Sequence, residues 1–326
     1  MEDLEVIRKL AQGGQGLTLL VRHKDDAATA VLKQCKCDNI SAANDALREA
    51  KVLQRLKHEN IVSYTDVFLH EDGQYLVVCT LMEYCERGDL GRYLNGVRAD
   101  GKRMEERRVL KWTRQMSEAL HYLHGKKILH RDMKPLNVFL TTDGQAKLGD
   151  FGLASSTKTD RATSQVGTPC YLSPEVLQNE EYGMPIDVWG CGCIAYEMVT
   201  LDFLWERKGL ISVQVLSRAF TPQDLPNHYT PGLRRLIVAM LDQHPNARPT
   251  AGEVAATCRD LGGGRGLPGG GGEDAPGEPA IPQSPLVNGL GAIAEGIHGL
   301  FSTAQGGNDP LPAQRGGGRC AGPGGG

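Results

Sequence analysis

The segment His130-Arg131-Asp132-Met133-Lys134-Pro135-Leu136-Asn137 constrains this chain more than any other part of it. It sets a carboxylate, a cation two residues on and an amide five residues on within one polar stretch. Phosphoryl transfer asks for those groups: a carboxylate to orient a hydroxyl and accept its proton, a cation near the γ-phosphate, and an amide oxygen on Mg²⁺. Five specified residues at ~1 in 20 each recur by chance in a chain this long about once in 10⁴ sequences. An incidental exposed turn is therefore the poorer reading. Asp150-Phe151-Gly152 follows Asn137 at a distance of 13 residues. Alone, that tripeptide is expected by chance in about one chain of this size in 25. Between the two, Asn137–Leu140, Thr142-Asp143-Gly144 and Ala146–Leu148 predict strand, turn and strand. Such a hairpin returns Asp150 beside Asn137, so that both can hold the same hard cation.

A second group lies nearer the N-terminus. Ala30-Val31-Leu32-Lys33 resembles the Val-Ala-Ile-Lys strand motif, whose lysine binds the α- and β-phosphates. A buried ammonium needs a partner, and Glu49, on a predicted helix, is the best candidate. Taken singly, Lys33 reads as a solvated strand end and Glu49 as a solvated helix face. The segment Ala11-Gln12-Gly13-Gly14-Gln15-Gly16-Leu17-Thr18 lies between strand-like flanks. Against the pattern G-x-G-x-x-G-x-V, Ala11 replaces the first glycine and Thr18 the valine. Gly13 and Gly16 allow close backbone approach to phosphates, and Gly14 adds flexibility. Should the Ala11 site require positive φ, alanine would cost on the order of 1–2 kcal/mol.

Short β-branched and apolar runs at Leu17–Val21, Ala28–Lys33, Val62–Leu69 and Tyr75–Leu81 read as strands, with one helix over Ala42–Leu56. After residue 89 the pattern is mostly helical, as over Leu110–Leu123 and Asp187–Thr200. The predicted class is α+β and bilobal. A small sheet-rich lobe spans 1–82, a hinge 83–89, and a larger helical lobe 90–260. Composition changes after Leu261 to glycine and proline, so 261–326 reads as a disordered tail. Within it, apolar residues at helical spacing over 286–301 offer docking for a partner, opposed by four interrupting glycines. The net charge of −3 gives no bulk attraction to nucleic acid. No apolar run is long enough for a membrane span. The acidic N-terminus lacks a signal-peptide core. The nine cysteines include two Cys-x-Cys pairs without a matching second pair at zinc spacing, and they read as reduced thiols of a cytoplasmic protein.

Downstream, Gly167-Thr168-Pro169-Cys170-Tyr171-Leu172-Ser173-Pro174-Glu175, Asp187-Val188-Trp189-Gly190 and Arg248 complete an ordered set. Together with the segments above, these residues resemble the eukaryotic protein kinase family over roughly 4–260. Met82-Glu83-Tyr84-Cys85-Glu86-Arg87-Gly88-Asp89-Leu90 and Asn137-Val138-Phe139-Leu140 are similar to the NIMA-related serine/threonine group.

The resemblance implies ATP and Mg²⁺ as cofactors and proteins with Ser/Thr hydroxyls as substrates. It implies Asp132 as base and Lys134 at the γ-phosphate. Asn137 and Asp150 would hold the metal, and Lys33 and Glu49 would form an ion pair. Leu10, Gly13, Gly14, Gly16, Thr18 and Ala30 would surround the nucleotide. Glu83 and Cys85 would offer backbone to adenine behind the gatekeeper Met82, and Asp89 would reach the ribose. Leu53, Tyr64, His130 and Phe151 would stack as an internal spine, and Arg248 would pair with Glu175. Arg131 would pair with a phosphate on Ser164 or Thr163, while Thr168 resembles serine/threonine enzymes. A pseudokinase scaffold, a small-molecule kinase and an adaptor acting through its tail are the alternatives. A ciliary or cytoskeletal association would rest on family analogy alone.

Overall fold

The structure, a computed structural model, describes residues 3–13, 16–73, 75–150, 169–204, 215–216 and 221–263. Gly14, Phe151, Thr163, Ser164, Thr168 and the 286–301 segment lie outside the described residues.

Five antiparallel strands form the first sheet: β1 Leu4–Gly13, β2 Gly16–His23, β3 Thr29–Cys37, β4 Tyr64–Asp72 and β5 Tyr75–Glu83, in the order β1-β2-β3-β5-β4. Alternate residues of three strands build one apolar face, with Leu19 and Val21 from β2, Ala30 and Leu32 from β3, and Val77, Cys79 and Leu81 from β5. The strand β1 is an edge strand exposed along almost its whole length, and its register with β2 slips twice. A strand with no buried face carries no alternation, so composition points only to a strand-like flank there. Helix α1, Ile40–Gln54, crosses over between β3 and β4. The Asn39 side chain caps it by accepting the Ala42 N–H at 2.9 Å.

The second lobe is helical, as expected: α2 Leu90–Ala99, α3 Glu106–Gly125, α4 Pro174–Leu177, α5 Pro185–Thr200, α6 Pro231–Met240 and α7 Ala251–Gly263. Apolar residues surround α5 on every side, and Val188, Trp189, Cys191, Ile194, Ala195 and Met198 are all buried. A helix apolar all round belongs at the centre of a core. A Cβ at Gly190 would come within 2.5 Å of Met133 Cβ, so the glycine lets α5 press directly on the Asp132 loop. The helix α7 runs past residue 260, and Leu261 still packs against the core. The expected boundary of the folded part therefore falls inside a helix.

The eight cysteines among the described residues are free thiols. Burial pushes those of Cys85, Cys191 and Cys258 up to about 12. Among the described residues no helix is long and apolar enough to cross a membrane.

Candidate active site

The loop that carries Asp132 hangs from one buried carboxylate. Asp187, near the start of α5, accepts the His130 N–H on Oδ2 and the Arg131 N–H on Oδ1, both at 2.9 Å. His124, at the end of α3, donates Nε2–H to the same Oδ2 at 2.8 Å. Burial pushes the Asp187 carboxyl up, but the His124 bond, the nearby histidine charges and the His130 N–H outweigh it and leave its pKa lowered. Burial also lowers the pKa of His130. Arg131, at φ 66°, takes up left-handed backbone, which turns the chain sharply just before Asp132.

Asp132 is 6% exposed. Its Oδ2 takes the Lys134 ammonium at 2.6 Å and one Asn137 Nδ2 hydrogen at 3.0 Å. Asn137 Nδ2 also donates to the Asp132 carbonyl at 2.8 Å. With both amide hydrogens committed to Asp132, the Asn137 carbonyl oxygen must point away from it. The expected hairpin follows: β6 Val138–Leu140 pairs with β7 Ala146–Leu148. The Gly149 N–H returns to the Asn137 carbonyl at 3.0 Å, which sets Asp150 beside Asn137. Backbone bonds from Val62 N–H to Leu148 O and from Leu148 N–H to Asn60 O, each 2.8 Å, pin the returning strand. Asp150 is left-handed at φ 54°, a conformation aspartate tolerates better than most residues.

From the sheet, Lys33 reaches Asp150 and forms an ion pair with it. The expected Lys33–Glu49 pair is absent, which corrects the reading from sequence. Glu49 is half-buried on α1, and burial foremost, then repulsion from Asp45 one turn earlier, raises its pKa. The cation acting on it is Arg131. A carboxyl raised by burial gains little from ionising where it stands, and Asp150 holds the Lys33 ammonium instead.

Of the remaining nucleotide candidates, Ala30 lies on the opposite face of the sheet from Lys33, the apolar face it shares with Leu19, Val21 and Leu32, because side chains alternate along β3; this corrects its placement at the nucleotide. Thr18 lies opposite Lys33 in the β2–β3 register, Ala30 is buried, and Leu10 is half-buried. Gly16 has φ 112°, and a Cβ there would stand 2.0 Å from the Gln34 carbonyl oxygen. Gly13 meets neither constraint. Ala11 is paired with Thr18 in an ordinary strand conformation, so the penalty that positive φ would have imposed does not arise. Met82 lies opposite Val31 and Tyr64.

The Glu83 carboxylate binds Lys147 Nζ at 2.7 Å and accepts the Ser63 N–H at 3.1 Å. The Cys85 thiol is buried. Both side chains are thus committed within the protein, and the Glu83 N–H donates to the Ser63 carbonyl at 2.9 Å. Asp89 caps α2 by accepting the Arg92 N–H at 2.9 Å, with Arg92 Nε at 3.2 Å. Burial raises its pKa. Leu53, Tyr64 and His130 are all buried. Glu175 and Arg248 form the expected pair, bidentate at 2.7 and 2.8 Å.

Sequence reading missed His124 and Lys147. Each is fixed by a partner more than 60 residues away, and neither belongs to a local motif.

A family model described as a protein kinase domain matches residues 4–257. The chain belongs to the protein kinase family. Its relatives include the serine/threonine-protein kinase Nek1 of Mus musculus, 35% identical over 260 residues, 78% of this chain and 21% of that protein. The Nek4 kinase of the same animal is 37% identical over 254 residues, 76% of this chain and 31% of its own. Nek3 of Oryza sativa subsp. japonica is 37% identical over 260 residues, 78% and 43%. The chain thus spans less than half the length of these Nek-type relatives.

Proposed function

We propose that this chain is an ATP- and Mg²⁺-dependent serine/threonine protein kinase of the Nek type. The observation that carries the reading is the convergence of Lys134 and Asn137 on the Asp132 carboxylate, with Asp150 delivered to the same place by the Gly149–Asn137 bond. Asp132 orients the acceptor hydroxyl and takes its proton on the carboxylate. Lys134 stands against the charge of the transferring phosphate. Among the described residues no three His, Cys, Asp or Glu converge into an all-protein metal cage. Mg²⁺ prefers one or two protein oxygens completed by phosphate and water, and the Asn137 side-chain Oδ1 with the Asp150 carboxylate fits that donor set. The ion, when bound, neutralises phosphate charge.

The same reading includes regulation. A phosphate on Ser164 or Thr163 adds about −1.5 to −2 charge, which Arg131 can pair. Ser164→Ala that leaves activity unchanged after incubation with ATP would remove Ser164 from that role.

The deciding experiment is γ-phosphate transfer to casein or myelin basic protein with Mg·ATP, comparing wild type with Asp132→Asn. We expect transfer to fall by on the order of 10²–10⁴-fold in the variant. Absence of transfer in both, even after treatment with an activating kinase, would favour the scaffold reading.

A further inference from the structure

The last turn of α5 carries a polar chain that phosphate transfer does not use. Glu197 is buried there, at 5% exposure. Its Oε2 accepts the Tyr171 hydroxyl at 2.9 Å. Its Oε1 stands 3.9 Å from Arg98 Nη2, an ion-pair separation. Arg98 arrives from the end of α2, where Nη1 donates to Asn95 Oδ1 at 2.7 Å and so fixes the plane of the guanidinium. Its Nε donates to the Leu201 carbonyl at 2.6 Å.

Leu201 closes α5 in left-handed backbone at φ 56°, with its N–H on the Glu197 carbonyl at 2.9 Å. That conformation is unfavourable for leucine and needs outside support. One arginine therefore grips the final turn of α5 at both ends, by the carboxylate of Glu197 and by the carbonyl of Leu201.

What Glu197 holds in turn faces the catalytic loop. Tyr171 and Ser173 line a cavity together with Arg131 and Asp132. The segment from Tyr171 to Glu175 is thus tied down twice, by Glu175 to Arg248 and by Tyr171 to Glu197. A buried carboxylate stays ionised, and so remains a good acceptor, when a cation stands beside it. Burial foremost, then the Glu197 charge, pushes the Tyr171 pKa far up, so its hydroxyl keeps the proton it donates.

We propose that Arg98, remote from the phosphate site, is a positioning residue for the protein substrate: through Glu197 and Tyr171 it fixes the segment that faces Asp132. The proposal rests on the kinase reading for its substrate, but the linkage itself is measurable without activity.

The test uses the full chain and three variants. Arg98→Met keeps the side-chain stem and removes the guanidinium. Tyr171→Phe keeps the ring and removes only the hydroxyl. The third variant combines the two. Two readouts are taken: steady-state kinetics varied separately in ATP and in myelin basic protein, and amide hydrogen exchange. We expect each single variant to raise KM for the protein substrate roughly fivefold, with KM for ATP within about twofold of wild type. The double variant should be no worse than either single one, because both cut the same chain. Exchange should quicken over Tyr171–Leu177 in Arg98→Met and stay unchanged in α3. Parallel rises in both KM values, or multiplicative effects in the double variant, would overturn the proposal, as would unchanged exchange over Tyr171–Leu177. Quickened exchange in a chain that transfers no phosphate would keep the linkage and refute the kinase reading instead. Should Arg98→Met fail to fold, Tyr171→Phe alone decides through the split between the two KM values.

Discussion

Lys33 and Asp150, 117 residues apart, are joined in an ion pair between the sheet lobe and the end of the β6–β7 hairpin. The pair occupies two groups that the proposed reaction needs for other partners, the phosphates for Lys33 and Mg²⁺ for Asp150. It also leaves Glu49 half-buried without Lys33.

Glu49 then becomes a cost to the fold at neutral pH. Its pKa in the folded chain is raised above 4.5, so the native state binds more protons than the unfolded one. Stability therefore falls as pH rises from 4.5 through the folded value. Glu49→Gln removes that loss and should raise Tm at pH 7, the gain vanishing below pH 4.5 where both states are protonated. In the proposed reaction Lys33 leaves Asp150 for the phosphates and for Glu49, so Glu49→Gln should nonetheless lower kinase activity. Thermal melts across pH, run beside a transfer assay, check both halves. A lowered Tm at pH 7 would refute the placement of Glu49.

The glycine segment separates into positions with different constraints. Gly16→Ala forces a Cβ to 2.0 Å from the Gln34 oxygen at φ 112°. Left-handed strain alone costs on the order of 1–3 kcal/mol, and Tm should drop accordingly. Gly13→Ala meets no atom within 4 Å and should melt like wild type. Ala11→Gly relieves no strain and should not stabilise. A melt of all three variants tests the set, and equal losses at Gly13 and Gly16 would contradict it.

How much was legible in the sequence follows from how far apart the partners lie. Asp132, Lys134 and Asn137 share one loop, so their spacing along the chain is their spacing in the site. Asp150 was legible because a turn signal at Asp143-Gly144 closes a hairpin of known period. Glu49 could be placed on a helix, but the seating of that helix against the sheet decides whether it meets Lys33. The His124–Asp187 and Lys147–Glu83 contacts depend on how whole elements pack. No local pattern encodes them, and the exposed strand β1 hid itself for want of a buried face.

Arg248 and Glu175 form a buried bidentate pair, with the guanidinium 4.9 Å from the Trp189 ring centre. Removing one partner strands the other charge in the core. Arg248→Ala should destabilise by about 3–5 kcal/mol. The double variant Arg248→Met with Glu175→Gln should recover part of that loss, since no charge is left behind. Urea unfolding of the two variants checks the difference. A double variant less stable than Arg248→Ala would refute the stranded-charge account.

Asp187 anchors the loop that carries Asp132, and that anchoring can be read from pH. In Asp187→Asn the amide cannot accept from the His130 N–H, the Arg131 N–H and His124 as the carboxylate does. A buried donor left unsatisfied costs about 1–3 kcal/mol, and the loop that holds Asp132 loses its anchor. Both Tm and kcat should fall, with KM for ATP little changed. The folded pKa of Asp187 is depressed below 3.8, so its contribution is present above the unfolded value and lost as pH falls through the folded one. The stability gap between wild type and variant should therefore hold from neutral pH down to 3.8 and close only below it. Urea titrations at a series of pH values measure that gap directly. A gap that already closes near neutrality would mean that His124, His130 and Arg131 do not hold this carboxylate in its charged form.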